Sequence, residues 1–445
     1  MDAVKISSMS VHPARSPLQQ LAEQLARGEI TPRAAAEEAL ARANSNAGHN
    51  VYIALDPDRV RQEAEALPSR FPHAAKPLLY GVPVSIKDCF DVAGFSTTLG
   101  LRFYAARDGV AREDSAVAAR LRSQGALIIG KTHMHPLAYG ITGENPDYGD
   151  CVQPRDARRL TGGSSSGGAA SVQEQSALAA IGTDTGGSVR LPAALCGLAG
   201  YRASREMAYQ SGLWCGGVHL APAFDTLGWL FGDLRDAPLL VEALFGLRAA
   251  DLSETRCRIG CVRDEFLHDC DAQALAGFAE WKKKLSDCGA TITPVDTAYW
   301  EEALEIYTAV TAQEAAAVHG AKTGGDFSHF PAAIAKRLAW GASISADEIA
   351  LFRARHLRFR ERAESQLRQF DFFLAPCAAL HELAVGADHT ASRTAILRYT
   401  TPMSLAGAPV VTLPTTTGAG VQLIALRNSD ARLLAYAKAV GTRPT

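Results

Sequence analysis

The feature that most constrains this chain is a pair of glycine-rich runs lodged between apolar segments. Gly162-Gly-Ser-Ser-Ser-Gly-Gly168 precedes an alanine-rich stretch and the apolar Leu178-Ala-Ala-Ile181, and Gly182-Thr-Asp-Thr-Gly-Gly-Ser-Val-Arg190 follows at once. Flexible linkers rarely sit between well-patterned apolar segments. A phosphate-cradling loop is disfavoured as well, because no Gly-Lys-Ser/Thr ending is present. Loops of this composition also serve where the backbone takes unusual conformations and hydroxyls face a cavity. In the second run, two glycines before Ser188 let the chain bend sharply and leave successive N–H groups unobstructed. That suits either a turn before a helix or a site that holds a developing oxyanion.

The surrounding pattern supplies a scaffold. Leu78 to Asp88 reads as a buried strand ending in polar residues, Asp114 to Gln124 as a helix, and Ala126 to Lys131 as a second strand. Residues 17–45 read as helices broken at Gly28, with Thr31 as N-cap and Pro32 in the first helical position. From about 255 to 370 long charged helices dominate, at 272–286 and 346–369, and strands return at 372–376, 409–414 and 421–426. The expected class is α/β: a single large domain, with a mixed twisted central β-sheet covered by helices on both faces. The expected layout is a catalytic core over 70–240, a helical cover over 255–370, and returning strands of the same sheet over 371–440.

Composition excludes several classes. Of 445 residues, 47% are hydrophobic and 21% charged, the balance of a globular protein. A net charge of −2 gives no electrostatic reason to expect nucleic acid or a membrane surface as partner. The first ten residues lack the apolar core of a secretory signal, so the expected compartment is cytoplasmic. The nine scattered cysteines include Cys257 and Cys261 in a strand-like run, and they read as buried reduced thiols. His133 and His135 flank Met134 without a third ligand at a fitting spacing, so neither metal nor cofactor is expected.

Lys87 stands at the polar end of its apolar strand. Alone it reads first as a solvated lysine at a strand end, and the other reading is a general base kept neutral by burial. Three features taken together resemble the amidase signature family: Pro83 to Asp88, Gly162 to Ser165, and Gly182 to Arg190. The likeness extends to Gly130-Lys-Thr-His-Met-His135, Thr142-Gly-Glu-Asn-Pro146, Phe224-Asp-Thr-Leu-Gly228 and, more weakly, Thr401 to Pro409.

The resemblance implies an amidase-signature domain whose triad is Ser188 as nucleophile, Ser164 as the bridging cis-serine and Lys87 as base. Ser164 is chosen over Ser165 or Ser166 because the family's spacing is 24 residues, and 188 − 24 = 164. It further implies a cis Gly163–Ser164 bond and an oxyanion hole from the N–H groups of Thr185, Gly186 and Gly187, with that of Ser188. A serine hydroxyl is a weak nucleophile until a base takes its proton, and a desolvated lysine can be that base.

Asp184 reads as ordering the loop through backbone N–H bonds, and Arg190 as either a brace or an anchor for a substrate carboxylate. The chain departs from the family at His133, at Pro136 and at Gly200-Tyr-Arg-Ala-Ser204, changes expected near the acyl pocket. That pocket is expected around Tyr139–Gly143, Trp214 and the helices of 310–340.

The expected reaction is hydrolysis of a small-molecule carboxylic amide to a carboxylate and ammonia or an amine. Alternatives are the glutaminase (A) subunit of a tRNA-dependent amidotransferase and an allophanate-like hydrolase of urea-type amides. Oligomeric state is open, with a homodimer among the options.

Overall fold

Side chains alternate along a strand, and that period of two decides which residues face the site. The computed structural model describes residues 15–249 and 255–442. The segment read as lacking a secretory signal lies outside them.

The strands are β1 (Tyr52–Leu55), β2 (Pro83–Lys87), β3 (Leu127–Thr132), β4 (Val152–Gln153), β5 (Asp156–Leu160), β6 (Ala179–Thr183) and β7 (Ala199–Arg202). They continue as β8 (Leu227–Phe231), β9 (Arg258–Val262), β10 (Thr291–Val295), β11 (Phe372–Pro376), β12 (Val410–Leu413) and β13 (Val421–Ile424). Eleven form one mixed sheet in the order β1-β3-β2-β6-β8-β7-β12-β13-β11-β9-β10, while β4 and β5 pair separately. The trios β3-β2-β6 and β11-β9-β10 are parallel, and the remaining ladders are antiparallel.

Strand β6 shows how the two faces separate. Ala179 and Ile181 join the main core, which includes Val117 and Leu121 of the helix Ala116–Ser123 and Leu240 and Leu244 of Ala237–Phe245. Ala180 turns the other way, against Ala169 and Val172 of the helix Ser166–Gln173 and Ala193 of Arg190–Leu195. Small residues let these helices lie close. A Cβ on Gly167 would collide with the Val51 carbonyl, and one on Gly168 would meet Ala180 and Leu230 at 3.3 Å.

Local signals are honoured in the N-terminal region. Gly28 ends the helix Pro17–Arg27 at φ 73°, and the Thr31 hydroxyl accepts the Ala34 N–H at 3.1 Å. Two readings differ. The strand begins at Pro83 because Gly81, at φ 73°, turns the chain just before it. The stretch expected as a helical cover also holds β9 and β10, which form the sheet's parallel edge; β10 lacks an apolar pattern because exposed Thr291, Thr293 and Pro294 lie on that edge. Among the described residues no helix is long and apolar enough to cross a membrane. None of the nine cysteines is paired, and only Cys215 is exposed.

Candidate active site

Parallel strands deliver their C-terminal ends to one edge of the sheet, where loops gather side chains around a ligand. Here β2 ends at Lys87 and β6 at Thr183, paired in parallel through Val84–Ala179 and Ile86–Ile181. Val84 and Ile86 face the main core. Ser85 and Lys87, two residues apart, face the opposite side, where Ser85 Oγ lies 2.8 Å from Ser171 Oγ on the helix Ser166–Gln173. Ser164 and Ser165 enter that same helix, so the period of two carries Lys87 toward the glycine-rich loop.

Lys87 is fully buried, and its Nζ donates to Ser164 Oγ at 2.8 Å and to Thr183 Oγ1 at 2.7 Å. Burial pushes its ammonium down to about 8, against the opposing pull of Asp225 and Asp184. The Gly163–Ser164 bond is cis. On either side of it, Gly163 N–H donates to the Ile141 carbonyl at 2.7 Å and His135 N–H donates to the Ser164 carbonyl at 3.2 Å. Ser165 N–H donates to the Ser188 carbonyl at 3.2 Å, which stitches the two loops together. Among the described residues the Ser188 hydroxyl has no hydrogen-bond partner, so no acceptor competes for its proton.

Asp184 organises the second loop. Its carboxylate accepts from Gly187 N–H at 2.9 Å, from Val189 and Arg190 N–H at 3.2 Å, and from the guanidiniums of Arg190 at 2.8 Å and Arg202 at 3.0 Å. Burial would raise its pKa, but the Arg190 and Arg202 guanidiniums outweigh burial and hold it well below the carboxylate range. Arg190 spends all five N–H donors inside the protein: two on Asp184 and one each on the Thr400 carbonyl, Gln422 Oε1 and Ser404 Oγ. None is left for a substrate carboxylate. Replacing Asp184 with Asn should leave these cations without their counter-charge and cost about 3–5 kcal/mol of stability. An unchanged urea midpoint for Asp184→Asn would remove Asp184 as the brace.

The geometry alters one expectation. Gly187 N–H is engaged by Asp184, because the carboxylate sits inside the turn, so it is not a free oxyanion donor here. The N–H groups of Thr185, Gly186 and Ser188 have no protein acceptor among the described residues. Gly187 adopts φ 121°, and a Cβ there would press on Thr400 at 2.9 Å. A Cβ on Gly186 would collide with the Tyr307 hydroxyl, while the Gly186 carbonyl accepts from Thr400 Oγ1 at 2.6 Å.

A cavity of about 530 Å³ adjoins the cis bond, lined by His135, Pro136, Gly140–Thr142 and residues of 331–337 and 387–393. It meets the expected pocket at 140–142 and 331–337. Trp214 lies elsewhere, stacked on His219 at 4.1 Å between ring centres. His219 contacts Asp225 at 2.9 Å, and Asp225 accepts from Thr185 Oγ1 at 2.6 Å, so Trp214 is linked to the loop through this chain. Two departures from the family pattern are braces rather than pocket walls. His133 is 2.7 Å from Ser166 Oγ and 2.8 Å from the Gly149 carbonyl, and Arg202 holds both the carbonyl and the carboxylate of Asp184. Pro136, the third, does line the cavity.

Sequence reasoning missed Thr183, Tyr307 and Thr400, which reach the site from a strand end and two distant helices. Asp225 carried a signal only as part of the matched run Phe224 to Gly228.

Comparison with known proteins gives a consistent picture. A family model described as Amidase matches residues 34–434. The glutamyl-tRNA(Gln) amidotransferase A-subunit of Gloeobacter violaceus is 31% identical over 316 residues, 67% of this chain but only 63% of that protein. Its counterpart of the same name from Chlorobaculum tepidum is 26% identical over 440 residues, covering 89% of this chain and 90% of that protein. A crystal structure of an amidase superposes with a TM-score of 0.85 at 30% identity, covering 94% of this chain and 98% of the other.

Proposed function

The chain belongs to the amidase signature family of hydrolases that act on carbon–nitrogen bonds, and from that premise we propose that it hydrolyses a small-molecule carboxylic amide through an acyl intermediate on Ser188. The observation that carries the reading is Lys87, fully buried and 2.8 Å from Ser164 Oγ. Its lowered pKa makes the neutral amine accessible, and only that form can take a proton.

Neutral Lys87 draws the proton from Ser164 as Ser164 takes one from Ser188, and Ser188 Oγ attacks the amide carbon. The oxyanion faces the N–H groups of Thr185, Gly186 and Ser188, each such donor being worth about 3–4 kcal/mol in the barrier. Ser164 then returns the proton to the departing nitrogen, and ammonia or an amine leaves. Water, activated through the same two residues, releases the carboxylate.

The bridge role separates Ser164 from its neighbour. Ser164→Ala should lower kcat by about 10²- to 10⁴-fold, the range for general acid–base groups. Ser165→Ala should lower it far less, because among the described residues the Ser165 hydroxyl hydrogen-bonds only to the Thr183 carbonyl, at 3.4 Å. A larger loss at Ser165 would put the bridge one position too early.

A second reading is favoured by the names of the relatives: release of ammonia from glutamine as the glutaminase component of an amidotransferase. Ammonia produced from glutamine by the isolated chain, together with co-purifying partner proteins, would select it. Turnover of simple amides without partners selects the stand-alone amidase.

A further inference from the structure

The buried cations around the triad carry their counter-charges with them. Arg190 and Arg202 share Asp184, and Lys131 pairs with Asp88 at 2.8 Å. The two arginines on the wall of the 530 Å³ cavity do not. Among the described residues neither Arg337 nor Arg393 has a carboxylate within ion-pair distance. Arg337 is half-buried; its Nε donates to the Ala333 carbonyl of its own helix at 3.2 Å, and its guanidinium lies 4.3 Å from the centre of the Tyr139 ring. Burial, reinforced by the nearby Arg393 charge, brings its pKa down to about 10.

The carboxylates on the same wall are engaged elsewhere. Glu144 accepts from Thr142 Oγ1 at 2.6 Å, and Asp388 accepts from the Thr390 N–H at 2.9 Å and hydroxyl at 2.6 Å. Counting formal charges, Arg337, Arg393 and Lys336 against Glu144 and Asp388 leave one positive charge on the cavity wall. That is the complement of a monoanion rather than a phosphate dianion. Guanidinium forks match a carboxylate in shape as well as charge. The cavity wall is tied to the reaction centre, since His135 and Ile141 on it hydrogen-bond to the two sides of the Gly163–Ser164 peptide.

We propose that the substrate amide carries a carboxylate at its non-reacting end and that Arg337 and Arg393 clamp it while Ser188 attacks the amide. The proposal rests on the amide-hydrolase reading and names its substrate class. Arg337, desolvated beside the like charge of Arg393, is costly until an anion neutralises it, so binding energy should come from the charged end of the ligand. It also reassigns the carboxylate anchor from Arg190, whose donors are full, to a pair contributed by the helices Ala332–Ser343 and Thr390–Ala406.

The test compares half-amides of the three- to five-carbon dicarboxylic acids with neutral amides of equal length. In the Ser188→Ala protein, calorimetry should show the best half-amide binding about 30-fold or more tighter than its neutral counterpart, the scale of a charge-assisted contact. The double variant Arg337→Gln/Arg393→Gln should reduce that preference to near parity, with each single variant giving a partial loss; the single variants decide if the double variant does not fold. In wild type, kcat/KM should favour the same half-amide. Equal binding of both ligands, or a preference that survives the arginine substitutions, overturns the clamp. Because binding is read without turnover, the two ideas fail separately. Efficient hydrolysis of neutral amides with no charged preference keeps the amidase and removes the clamp. Selective binding of the half-amide with no hydrolysis by wild type keeps the clamp and removes the reaction.

Discussion

Ser188→Ala should abolish covalent labelling by a fluorophosphonate probe and lower kcat by about 10⁴-fold or more, the scale seen when a serine nucleophile is removed. The loss should be confined to chemistry. Ser188 Oγ makes no hydrogen bond within the described residues, so its removal breaks no structural contact, and the unfolding midpoint should stay within error of wild type. That pairing of a large kinetic loss with an unchanged fold is the signature of a nucleophile rather than a brace. Asp184→Asn should show the reverse balance, losing stability first. Full labelling of Ser188→Ala would move the nucleophile to another hydroxyl, and Ser164, on the neighbouring loop, would be the first to examine.

The second large effect belongs to Lys87 and to pH. The reaction needs the neutral amine, and the neutral fraction grows as pH rises through a pKa of about 8. Below that value kcat/KM should therefore climb about tenfold per pH unit, and above it the profile should flatten. At pH 7 only about a tenth of the molecules hold the competent form, which fixes the size of the expected gain on raising the pH. Lys87→Met keeps much of the volume while removing the base. It should cost about 10²- to 10⁴-fold and abolish the rising limb. An acid optimum in wild type, or an unchanged profile in Lys87→Met, would take the lysine out of the proton relay.

How much of this was visible in the sequence depends on where each contact comes from. Ser164, Asp184, Ser188 and Arg190 sit in two contiguous runs, and the glycines needed for their turns mark those runs openly. Lys87 was visible as a polar end on an apolar strand, but only β2–β6 pairing brings it to Ser164. Thr183 stands inside the second of those runs, but nothing in it marks a contact with Lys87. Tyr307 and Thr400 carry no local sign, and their places are set by packing between elements far apart in the chain. The same holds for Arg337 and Arg393, indistinguishable in sequence from the solvated arginines on charged helices. Asp184 engaging Gly187 was hidden for another reason: composition shows that a turn is permitted there, not which way its N–H groups point. Strand β10 was missed because an edge strand with threonine and proline on its exposed positions loses the apolar pattern that marks a buried one.

Arg190 ties the nucleophile loop to the Thr400 carbonyl, Ser404 and Gln422, which lie 210 to 232 positions downstream. A nascent chain leaves the ribosome from its N-terminus, so Ser188 is exposed long before its anchors are made. Until residues 400 to 422 have been made, the loop therefore has Ser188 without the contacts that shape it, and any chain that stops short of them lacks the brace.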